Sequence, residues 1–69
     1  MKPGTRILFS NATTREHAGS REPFWGKIKD TLIRNGHTVY LTEYLQPSKY
    51  GDQSTLTTVR PHQIEMIED

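Results

Sequence analysis

Two lysines and two tyrosines in the middle of the chain are the residues whose types and spacing point most readily to chemistry. In "WGKIKDTLIRNGHTVYLTEY" (25–44), Lys27 and Lys29 precede an Asn-Gly pair, and Tyr40 and Tyr44 follow it. If this segment is a hairpin turning at Asn35-Gly36, then Lys27, Lys29, Thr31, Tyr40, Thr42 and Tyr44 share one face. Aromatic rings that stack on bases, flanked by ammonium groups that meet phosphates, are a means of holding a single-stranded nucleic acid. Lys49 and Arg60 extend the patch. The same alternation also describes an ordinary wet sheet face, on which Thr, Lys and Tyr are common.

A second set of residues points to a protein partner. Trp25 is the only tryptophan and sits beside Phe24. Neighbours on a strand point to opposite faces, so one of the two turns outward and becomes a candidate contact. Arg15, Glu16, His17, Arg21 and Glu22 lie in a polar stretch, and Tyr50 lies in another; loops of this kind often carry binding residues. A small binding or regulatory module is therefore expected, with nucleic acid as the first partner class. A protein-binding accessory subunit or inhibitor is the second.

Catalysis is not expected. Ser10, Thr13 and Thr14 have no Ser-His-Asp arrangement around them, and there is no Gly-rich phosphate loop or paired-carboxylate signature. His62, after Pro61, has no carboxylate partner in the sequence pattern to orient it as a proton shuttle. The chain holds three His and no Cys, and no two His have helical ligand spacing, so neither a zinc site nor a disulfide is expected. No cofactor is implied. With nine Lys and Arg against eight Asp and Glu, any nucleic-acid contact must be a local patch. The opening "MKPGTRILFS" holds no apolar run suited to a signal peptide or membrane span, so a cytoplasmic, membrane-free protein is expected. "NAT" at Asn11 matches the glycosylation sequon, a match of little weight without a secretion signal.

These residues need elements to position them, and 69 residues with 32% hydrophobic content allow one small domain over 1–69 with a thin core. "GTRILFS" (4–10) reads as a strand. Residues 11–23 and 46–54 read as polar loops, "TLTTVR" (55–60) as a strand, and "PHQIEMIED" (61–69) as a Pro-initiated turn with a short strand. Residues 24–41 admit two readings. As a helix, Phe24, Trp25, Ile28, Leu32 and Ile33 fall at helical spacings, with Ser20 as a cap, Pro23 in the first turn and Gly36 after the end. As a hairpin, Asn35-Gly36 supplies the two positive-φ residues of a type I′ turn, and Leu32 faces Val39, Thr31 faces Tyr40, Asp30 faces Leu41 and Ile28 faces Glu43. That register leaves Asp30 and Glu43 on the apolar face unless a bulge or corner, for which Gly26 is the candidate, moves them. The helix would give a βαβ start with too few parallel strands to cover it. The hairpin is preferred.

"TTVRPHQIEMIED", a strand followed by a Pro-initiated 3₁₀ turn and a short strand, resembles the closing segment of SH3-like barrels. "MKPGTRILF" and the later "WGKI" resemble their opening turn-glycine strand and the start of their second strand. In outline the chain is similar to the variable chain of ferredoxin–thioredoxin reductase, most distinctively at Val59-Arg60-Pro61 and the "IEMIED" tail. The resemblance implies an all-β SH3-like barrel of about five strands. It also touches the type II dihydrofolate reductases, but their nucleotide-binding Val-Gln-Ile-Tyr run has no counterpart in "TLTTV", so that activity is not implied. A competing resemblance links "RILFSNAT…GSREPFWGKIKDTLIRNGHTVYLTEY" to the N-terminal part of nucleoside 2-deoxyribosyltransferase-like proteins. It implies an α/β fold with a Rossmann-like βαβ start, helical over 24–33, and a truncated enzyme whose catalytic acid lies farther along.

Overall fold

The computed structural model describes residues 1–18 and 22–68; Ser20 and Arg21 lie outside them. The hairpin prevails at 24–46. β2 (Phe24–Arg34) and β3 (His37–Gln46) are antiparallel strands joined at Asn35-Gly36. Asn35 has φ 51° and Gly36 φ 77°, the pair of positive angles that a type I′ turn requires. The helix of the βαβ alternative is therefore a strand. Its apolar spacing arises because β2 carries apolar side chains on both faces.

Before β2 come β1 (Arg6–Phe9) and a short helix, α1 (Ala12–Ala18); after β3 come β4 (Gln53–Val59), a 3₁₀ turn at Pro61–Gln63 and β5 (Ile64–Glu68). All five strands lie in one antiparallel sheet in the order β4-β3-β2-β1-β5. The all-β expectation holds, with a correction. The sheet does not close into a barrel, because β4 and β5 are its two edges and form no ladder with each other. A side chain ties the end of β1 to β4 across the sheet. Asn11 Nδ2 donates to Thr57 Oγ1 and to the Thr58 carbonyl, both at 3.1 Å.

Asn11 also starts α1, which replaces part of the expected first loop. Its Oδ1 accepts the Thr14 N–H at 2.9 Å, and its own N–H donates to Thr14 Oγ1 at 2.9 Å. This reciprocal pair satisfies two backbone donors at the helix entry. Asn11 is buried, with both amide hydrogens engaged, so the sequon is not presented to solvent.

The register explains which residues face the core. From the turn inward, Leu32 faces Val39, Thr31 faces Tyr40 and Asp30 faces Leu41, as the turn dictates. Lys29 is then left without a partner, and Ile28 faces Thr42 rather than Glu43. A bulge of this kind shifts side-chain parity by one for the rest of the strand. Before it, Phe24, Gly26 and Ile28 face inward; beyond it, Leu32 is half-buried opposite the buried Val39, while Thr31 and Ile33 are exposed. The bulge sits at Lys29, not at Gly26, and it removes the blemish of an inward Glu43. Gly26 answers a different demand. A Cβ there would lie 2.7 Å from Thr42 Cγ2 and 2.9 Å from Phe9 Cε1.

Ile7, Phe9, Ile28, Tyr44 and Val59 form the core, with Phe24, Tyr40 and Ile64 packed against it. The Tyr44 ring meets Phe9 edge-on at 5.6 Å and Phe24 at 5.4 Å between centroids. Each fully buried apolar side chain contributes about 1.5–3 kcal/mol. No buried side-chain N or O among the described residues lacks a hydrogen-bond partner, and none of their helices is long and apolar enough to cross a membrane.

Candidate functional site

The bulge at Lys29 separates the lysines from the tyrosines. Lys27 and Lys29 are exposed on the outer face, whereas Tyr44 is 3% exposed inside the core and Tyr40 leans against it. The common Lys/Tyr face expected from an unbroken register is not assembled. Lys29 Nζ instead lies 3.3 Å from Glu43 Oε1. Ser54 Oγ donates to the other carboxylate oxygen at 2.8 Å. That hydroxyl, then Lys29, hold the Glu43 carboxyl below its ordinary range. Burial pushes the Tyr44 phenol the other way, above 10.0, with the charge of Glu22 adding to the effect. The phenol donates to Gln46 Oε1 at 3.0 Å.

Lys49 and Arg60 are also apart from Lys27. Lys49 sits in the turn between β3 and β4, its Nζ 5.1 Å from the centre of the exposed Tyr50 ring. Arg60 is where β4 ends, and lines a cleft at the hairpin end with His37 and His62.

What the outer face does assemble is a pair of rows running across the strands. Met66 faces Leu8, and Leu8 faces Trp25. Gly26 faces Tyr44, so Leu45 continues the row beyond Trp25. The register thus aligns Met66, Leu8, Trp25 and Leu45 over three strand spacings, about 14 Å. Met66 is 56% exposed, Trp25 38% and Leu45 59%. The adjacent row reads Glu68, Arg6, Lys27, Glu43 and Leu56. Within it Arg6 pairs with Glu68, and its guanidinium carbon stands 4.9 Å from the Trp25 ring centre. Glu43 pairs with Lys29, so among the described residues Lys27 is the member of this row without an ion-pair partner.

Trp25 was expected to face outward if Phe24 faced inward, and it does. Leu8, Leu45 and Met66 were not singled out, although the alternation Leu41-x-Glu43-x-Leu45 places both leucines on the side of Glu43. Glu22, assigned to a loop, accepts hydrogen bonds from both the Ser10 and Thr14 hydroxyls. This ties the end of β1, α1 and the entry to β2 together. Arg15 reaches Ser10 Oγ at 3.5 Å, while Glu16 and His17 are exposed on α1. No group of three or more His, Cys, Asp or Glu among the described residues is placed to hold a metal ion.

Comparison with protein-family models, with curated proteins and with solved structures finds no match to this chain.

Proposed function

We propose that the protein is a small binding module, acting without chemistry of its own, and that its partner is a protein. The observation that carries this reading is the exposed row Met66, Leu8, Trp25 and Leu45. Interface cores are apolar and aromatic, with a polar rim, and a Trp backed by an Arg is a frequent anchor. Here Trp25 stands under Arg6, and the charged row supplies the rim on one side. The partner segment presents apolar side chains over about 14 Å and a carboxylate opposite Lys27. The strand order and the 3₁₀ turn before β5 support reading the module as SH3-like. The absence of cysteine suits a cytoplasmic setting.

Nucleic acid, the other partner class considered, depends on stacking rings beside cations. With Tyr44 in the core, the Lys27–Lys29 side of the sheet offers one ring, Trp25, in place of a series of stacking platforms.

A photo-crosslinking amino acid at position 45 tests the proposal. The expected result is an adduct with one protein that, once purified, binds the unmodified chain. Trp25→Ala should weaken that binding about tenfold or more, as for an anchor residue. An adduct whose binding ignores Trp25→Ala refutes the docking row. Oligonucleotide binding that falls steeply with salt would put nucleic acid in its place.

A further inference from the structure

At the hairpin end of the sheet, away from the apolar row, basic side chains gather around a cleft that no carboxylate lines. Gly36, His37, Thr38, Arg60, Pro61 and His62 form its walls, around a volume of about 440 Å³. The register explains the gathering. Tyr40 faces Val59, so the ladder continued by two to three residues brings Pro61 and His62 beside Thr38 and His37. β4 ends at Val59, and the chain turns into the 3₁₀ segment at Pro61, which opens the gap. Gln63 holds the turn by accepting the Arg60 N–H at 2.9 Å. On the other side His37 faces Arg34 of β2.

We propose that this cleft binds a compact oxyanion of two negative charges, the chemistry of a phosphate monoester. Arg60 supplies a fixed planar donor set, suited to bidentate contact with such an oxyanion. His37 and His62 add ring N–H donors on the cleft's walls. The charged and titratable groups around the cleft are Arg34 from β2, His37 from β3, and Arg60 and His62 from the segment after β4. None of the four forms an ion pair among the described residues. On β2 the preceding carboxylate is Asp30, four residues and about 13 Å along the strand from Arg34. Its Oδ1 accepts the Thr31 N–H. On β5, Glu65 is not among the cleft's walls. No Phe, Tyr or Trp ring lines the cleft, and its small volume favours a single compact anion over a nucleic-acid strand. This site is independent of the docking row.

The test is an NMR titration of the full chain with inorganic sulfate against chloride at matched ionic strength. Saturable shifts confined to the His37 and His62 imidazoles and the Arg60 guanidinium are expected with sulfate and not with chloride. Arg60→Gln should weaken sulfate binding about tenfold, and His62→Gln several-fold. All three positions are solvent-facing, and the resonances of the core methyls report directly whether each variant folds. Shifts that are equal in chloride, spread over the surface, or indifferent to Arg60→Gln in a folded variant overturn the proposal. A folded His62→Gln variant that binds sulfate as tightly as the parent overturns the part assigned to that imidazole.

Discussion

Gly26→Ala is expected to destabilise the protein through a collision at the centre of the sheet. The new methyl would stand 2.7 Å from Thr42 Cγ2, 2.9 Å from Phe9 Cε1 and 3.0 Å from the Glu43 carbonyl oxygen. Thr42 and Phe9 are both fully buried, and the third neighbour is backbone, so none is a free end that can swing aside. Overpacking of this kind costs about 1–3 kcal/mol. Gly26 does not have the positive φ that would add backbone strain. Losing a glycine also stabilises by about 0.4–1 kcal/mol through the unfolded chain. The net loss is about 1–2 kcal/mol, which lowers the melting temperature of a domain this size by roughly 5–15 °C. Thr42→Ser removes the nearest obstacle. The double variant should therefore lose less than the two single variants together, with a coupling of about 1 kcal/mol. Thermal and urea unfolding of the four proteins measure this. A Gly26→Ala protein as stable as the parent, or strict additivity, would refute the close approach of β1, β2 and β3 on which the core rests.

Asn11→Ala removes the helix cap and both donors that reach β4, for an expected loss of about 2–4 kcal/mol; Asn11→Asp keeps the cap and should fall between, both read by urea titration. The raised Tyr44 phenol gives stability that is fully present below pH 10.0 and declines as pH rises beyond it. In melts from pH 9 to 11.5, Tyr44→Phe should lose this part of the alkaline decline. The lowered Glu43 carboxyl has the opposite sign. Its contribution is present above the ordinary carboxylate range and is lost as pH falls through the depressed value, so Glu43→Gln should flatten the acid limb of the stability profile slightly.

The features of the fold legible in the sequence are those that special residues write. Asn35-Gly36 declares its turn because few residue pairs accept two positive φ angles, and the three pairs next to it follow at once. Pro61 marks the 3₁₀ turn by the same logic of backbone restriction. The bulge has no such signature. Lys29 stands in an unremarkable alternation, and the extra residue is absorbed where the strand bends to bring Ile28, Thr42 and Tyr44 inward. Because parity follows the bulge, the site inferred from an unbroken register paired outward lysines with inward tyrosines. That Phe24 and Trp25 take opposite faces is legible from their adjacency alone; which of the two turns outward is not. Helix α1 was missed for its length. Seven residues without an apolar stripe give periodicity nothing to detect, although Asn11 and Thr14, three apart, are the residue types that open helices.

The bulge is the claim on which the outer face depends, and cross-strand NMR contacts between β2 and β3 test it most directly. The structure predicts Lys27 opposite Glu43, Ile28 opposite Thr42 and Asp30 opposite Leu41, with Lys29 unpaired. Contacts that instead place Ile28 opposite Glu43 and Lys27 opposite Tyr44 would contradict it. They would restore the Lys/Tyr face and remove Leu45 from the row that Met66, Leu8 and Trp25 form.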